Sequence, residues 1–153
     1  MTYNNYNLER FLQAQEDVYP VALQELQEGR KRSHWMWYVF PQLKQLGRSY
    51  NAKFYGISGV EEARAYLDMP VLGERLKEVA ATILRLPTDN AVEVFGGIDS
   101  LKLKSSMTLF DYVCPNDVFA KVLDKYFGGR RDQLSIKLIG QESQGCLAVI
   151  TTL

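Results

Sequence analysis

Residues 88–132 read TDNAVEVFGGIDSLKLKSSMTLFDYVCPNDVFAKVLDKYFGGRRD, and this stretch decides the fold class. It repeats one pattern: a small polar residue, apolar residues at helical spacing, then glycine or proline. A polar side chain before such a run accepts the free amides of a first helical turn, and glycine or proline ends the run. Thr88 is expected to cap a helix through Phe95, closed by Gly96-Gly97. Asp99 is expected to cap a longer one over Ser100 to Val113, stopped by Pro115. Asn116 or Asp117 opens the next, through Phe127, and Gly128-Gly129 ends it; Asp132 then caps a short helix through Ile139.

The pattern continues upstream. Pro70 suits a first helical position, and Val71 to Leu86 carries helical apolar spacing. Ser58 and Glu61 fit a capping box for a helix through Leu67. Gly47 to Gly56 reads as an irregular basic-aromatic loop, and Ser33 to Phe40 as a short helix before Pro41. A first helix follows Asn7 and stops at Gly29, with Pro20 kinking or restarting it. No Asn-Gly or Asp-Gly hairpin signal appears. The expected fold is all-α: an irregular bundle of about seven short helices in a single domain over residues 1–140. A loosely ordered tail is expected over residues 141–153.

Composition agrees. The chain has 153 residues, 46% of them hydrophobic, enough for one domain with its own core. No apolar run approaches the roughly 18 residues of a membrane span, and the first residues lack the layout of a secretory signal. A cytoplasmic location and no membrane association are the resulting expectations. Two cysteines make no disulfide framework, and a single histidine, His34, excludes a multi-histidine metal centre. There is no nucleophile elbow, dinucleotide fingerprint or P-loop order, so no metal and no cofactor are expected.

The net charge is zero but unevenly spread. Residues 29–60 contain no acid, six Lys or Arg residues and seven aromatics. Within them, Gly29 to Gln42 holds Arg32, His34, Trp35, Trp37 and Gln42. Indole faces stack on planar rings, guanidinium groups fork onto anions, and imidazole exchanges protons near neutrality. Trp35 and Trp37 would equally serve as core, with the basic run as a solvated turn. A second block, Gly96 to Phe110, offers Lys102, Lys104 and Ser105, although Asp99 would itself repel an anion. A third, Tyr126 to Asp132, offers Arg130 and Arg131, which suit either an anion or a helix C-terminus.

These blocks carry a resemblance. Gly29-Arg30-Lys31-Arg32-Ser33-His34-Trp35-Met36-Trp37, Phe40-Pro41-Gln42, Phe54-Tyr55-Gly56, Leu101 to Phe110 and Phe127 to Asp132 resemble the bacterial domain-of-unknown-function family 1810. The similarity runs from about Tyr6 to Ile139 and implies an all-helical fold, without bringing an established activity. The calpastatin-like label that some members carry does not suit this chain. Calpain-inhibitory segments fold only on their target, whereas this composition builds a core.

The functional expectation is a small-ligand pocket for an anionic planar molecule such as a nucleotide derivative. Arg32, Trp35, Trp37, Gln42, Lys102, Lys104, Ser105, Arg130 and Arg131 would bind it, and His34 would be the catalytic acid or base if a reaction follows. The alternative is a protein-interaction module using the basic-aromatic face of residues 29–56. Overall neutrality argues against a dedicated nucleic-acid binder.

Overall fold

The computed structural model describes residues 6–152, with side chains for residues 6–142. Among these residues the chain forms nine α-helices: α1 (Glu9–Gln27), α2 (Met36–Val39), α3 (Tyr50–Tyr55), α4 (Val60–Asp68), α5 (Pro70–Leu84), α6 (Ala91–Phe95), α7 (Gly97–Val113), α8 (Val118–Phe127) and α9 (Gln133–Thr152). The all-α class holds, and the count is nine rather than about seven. No strand forms among the described residues; one isolated parallel bridge joins Leu43 to Ile57.

Several boundaries follow the local chemistry read from the sequence. Gly29, at φ +80°, closes α1 in a Schellman turn, with its own amide on the Leu26 carbonyl and that of Arg30 on Glu25. Pro70 opens α5, and the Asp117 carboxylate accepts from the Val118 amide at the start of α8. Asp132 accepts from the Ser135 amide at the start of α9.

Other boundaries differ. Pro20 lies inside an uninterrupted α1, where its exposed position leaves the unpaired carbonyl one turn earlier to water. The expected loop at 47–56 contains α3, because the Ser49 hydroxyl accepts from the Ala52 amide while Ala52 is buried. Ser58 does not cap α4: its amide donates to Glu62, and Gly59 is the cap residue. Asn90, not Thr88, caps α6. The helix of residues 97–113 starts two residues before Asp99, placing that carboxylate in the first turn, free to pair elsewhere. Ser33 likewise does not cap α2 but donates to Glu25. The last helix continues past Ile139, while side chains after Glu142, and with them the docking expected of the tail, lie outside the described residues.

The core is apolar and rich in rings. Phe11, Trp35, Phe40, Tyr66, Phe110 and Phe119 are fully buried, and Tyr66 meets Phe11 edge-on at 5.0 Å. α7 is the central element, packed against α4, α6, α8 and α9; α5 packs on α1, α4 and α8. Ser105, Ser106 and Thr108 on α7 are buried, small enough to let neighbouring helices approach. The two short helices α2 and α3 sit beside α1 and reach the start of α7, and there the surface becomes concave.

Candidate functional site

The concavity is a recess of ≈ 170 Å³. Its walls come from the loop before α2 (Lys31, His34, Trp35), from α2 (Met36, Trp37, Tyr38), from the start of α3 (Ser49, Asn51) and from the first turns of α7 (Asp99, Lys102).

Its framework starts on α1. Glu25, buried in the last turn, accepts from the Arg32 amide (2.9 Å), the Ser33 amide (3.1 Å), the Ser33 hydroxyl (2.6 Å) and the Trp35 indole N–H (2.9 Å). Burial pushes the Glu25 pKa up, but these donors outweigh it and hold the carboxyl at about 2, down from 4.5. The carboxylate thus fixes the loop that carries Lys31 and His34. The Lys31 amide donates to the Val94 carbonyl of α6 at 2.8 Å, which brings the loop to the start of α7.

Asp99 then lies between two lysines. Its Oδ2 is 2.9 Å from Lys31 Nζ and its Oδ1 is 3.3 Å from Lys102 Nζ. Burial raises the Asp99 pKa, yet the hydrogen bond and charge of Lys31, aided by Lys102, bring it below the usual carboxylate range. Each ammonium also lies over an indole: Lys31 is 4.8 Å from the Trp35 ring and Lys102 5.9 Å from that of Trp37. Two ammonium groups against one carboxylate leave the recess with a net positive charge. Lys31 is committed to Asp99 and the Ser33 carbonyl, whereas Lys102 is partly exposed and His34 is exposed.

Neutral donors complete the wall. Ser49 Oγ accepts the Ala52 amide, so its own proton points elsewhere. The Asn51 amide is exposed, and Tyr38 spends its hydroxyl proton on the His34 carbonyl at 3.1 Å. Ser49, Asn51 and His34, together with the N–H groups that Lys102 does not turn to Asp99, form a donor set that suits the oxygens of a phosphate or carboxylate.

Of the residues singled out in the sequence, His34, Trp35, Trp37 and Lys102 come together here. The others do not line the recess. Arg32 turns out to solvent and pairs with Glu28 at 2.5 Å. Gln42 is buried, and its side-chain nitrogen finds no partner among the described residues. Lys104 lies 5.9 Å from the Phe127 ring, and Ser105 donates to the Leu101 carbonyl one turn back. Arg131 pairs with Asp111 at 3.0 Å, and twelve residues of helix put Asp111 about 18 Å along α7 from Asp99. Arg130 is exposed beside it. A single site combining His34, Lys102 and Arg130 is thus not what the fold builds. Sequence reasoning passed over Ser49 and Asn51, which stood in an expected loop, and used Asp99 as a cap. The acid-free run from Gly29 to Val60 was the available signal, since its lysines had to find carboxylates elsewhere.

The model of a family described as protein of unknown function (DUF1810) matches residues 5–139. The chain belongs to this family. A similar solved structure is that of the conserved hypothetical protein Rv1873 from Mycobacterium tuberculosis, 46% identical, covering 89% of this chain and 98% of that one with a TM-score of 0.87. No curated protein matches the chain. Among the described residues no helix is long and apolar enough to cross a membrane, and no group of three or more His, Cys, Asp or Glu could hold a metal.

Proposed function

We propose that the recess binds a small molecule through an oxyanion, a phosphate or carboxylate attached to a planar group. The observation that carries this reading is the donor set: Lys102, His34, Ser49 and Asn51 face one small cavity whose charged residues leave it net positive. Asp99 acts within it as a fixed counter-charge. It holds the two ammonium groups apart and in place, so an arriving anion meets a positioned Lys102 rather than a mobile one. His34, at the mouth, is the group that would exchange a proton if a reaction follows binding.

A thermal-shift screen against phosphorylated and carboxylated metabolites tests the reading. Anionic compounds should raise the midpoint of the wild type, and Lys102→Ala and His34→Ala should lose the shift while keeping their unliganded midpoint within a few degrees. Equal shifts from uncharged analogues, or none from any anion, would overturn it.

A second reading draws on one feature. Tyr50 is 75% and Phe54 41% exposed, on a face flanked by the exposed Lys44, Arg48 and Lys53. Such a face would also suit an acidic protein partner, in the manner of an interaction module over residues 29–56. Salt-sensitive binding of acidic peptides, unchanged in Lys102→Ala, would favour it.

A further inference from the structure

The recess is small beside the roughly 300–1,000 Å³ usual for sites that enclose a ligand, so it takes a head group and leaves the rest outside. The question is what the rest lies against. The tryptophans are unavailable. Trp35 is 1% exposed, its N–H is committed to Glu25, and Lys31 covers its face. Trp37 is 7% exposed, with Gly47 packed so close that a Cβ there would fall 2.8 Å from the indole and Lys102 on its approach. Neither offers an open face to a second ring.

The open rings are on α3. Tyr50 and Phe54, one turn apart, lie parallel within 6° with centroids 5.8 Å apart. Tyr50 stands directly between Ser49 and Asn51, the two α3 residues that line the recess. Consecutive Cα atoms are about 3.8 Å apart, so the tyrosine is rooted at the rim of the cavity. The Phe54 carbonyl accepts from Arg10 Nε at 2.7 Å, and Arg10 in turn is paired with buried Glu62, which anchors the far end of this short helix.

Resting on the oxyanion reading above, we propose that Tyr50, backed by Phe54, is the ring-binding half of the same site, and that the ligand class is a phosphomonoester carrying an aromatic base, as in a nucleoside monophosphate. The phosphate occupies the recess against Lys102, His34, Ser49 and Asn51, and the base stacks on the outer face of Tyr50. A stack on an exposed aromatic tolerates any planar base, so Tyr50 contributes affinity for rings as a class, while the recess selects the charge.

Calorimetric titration of the folded chain with inorganic phosphate, ribose 5-phosphate and adenosine monophosphate separates the two halves. The nucleotide should bind roughly tenfold more tightly than ribose 5-phosphate. Tyr50→Ala should abolish that gain and leave phosphate and ribose 5-phosphate unchanged; Tyr50→Phe should keep it, and Lys102→Ala should weaken all three. Equal affinity of nucleotide and ribose 5-phosphate, or a gain that survives Tyr50→Ala, would overturn the inference and leave the oxyanion site standing. Loss of phosphate binding in Tyr50→Ala would make the tyrosine part of the recess wall and would also overturn it. Failure of all three compounds to bind the wild type would overturn the inference and, with it, the phosphate form of the oxyanion reading.

Discussion

Helix α1 holds the basic-aromatic segment by two buried ions, one in its first turn and one in its last, and the two work differently. Arg10 spends all five N–H groups: on the carbonyls of Phe54, Tyr6, Asn7 and Gly56, and on the Glu62 carboxylate at 2.7 Å. Glu25 meets only dipoles and no cation, accepting four N–H or O–H bonds from Arg32, Ser33 and Trp35. Both fix irregular backbone that cannot satisfy itself within a helix. The arginine does so as half of an ion pair, so removing it strands a second buried charge; the glutamate strands only neutral donors. The lesson is that an anchor's weight lies in what its loss leaves behind.

Four experiments press on that difference. Arg10→Ala should show the largest effect, about 3–5 kcal/mol in urea denaturation, because Glu62 remains buried and unpaired. A loss under about 1 kcal/mol would mean that Arg10 is no anchor. Glu25→Gln should cost less, about 2 kcal/mol, since the amide retains one acceptor oxygen. Glu25 also has a pH signature. Its folded pKa, about 2, lies below its ordinary 4.5, so its stabilisation is fully present above about pH 4.5 and is lost as pH falls through about 2. The stability gap between wild type and Glu25→Gln should therefore stay level above about pH 5 and close on acidification; a gap independent of pH would show that the charge is irrelevant.

The third experiment concerns Glu142, whose carboxylate accepts from the Val60 amide at 3.2 Å through both oxygens. Like Glu25 it meets a backbone donor, but at a helix start and with less burial. A chain ending at Gln141 should be about 1 kcal/mol less stable than one ending at Glu142, the usual worth of a helix cap. The smallest effect belongs to Arg32→Ala. Its partner Glu28 is exposed, so the melting midpoint should not move. A measurable loss would show that solvent-facing charge matters to this loop after all.

The same contrast marks what could be read from the sequence. Gly29, Pro70, Asp117 and Asp132 act on their own or adjacent turns, so their roles follow from neighbours in the chain, and the helices they bound were legible. Glu25 and Glu142, and Arg10 in its bonds to Phe54, Gly56 and Glu62, act on residues 7 to 82 positions away, and nothing local marks them. Asp99 shows the failure most clearly. An aspartate ahead of an apolar periodic run looks like a cap, yet the helix begins at Gly97 and the carboxylate pairs with Lys31 across the fold. The candidate site was half visible for the same reason. Rare residues such as His34 and Trp37 announce themselves by composition, whereas Ser49 and Asn51 acquire meaning only through the helix that presents them.

The contact between Glu142 and Val60 bears on how the molecule is made. The two residues are 82 positions apart, and a ribosome adding about 5–20 residues per second releases the first several seconds before the second exists. During that interval the Val60 amide at the start of α4 has only water to meet it, so this end of the helix stays uncapped until Glu142 of α9 arrives. That one cap therefore comes from a residue made 82 positions later, although α4 lies in the first half of the chain.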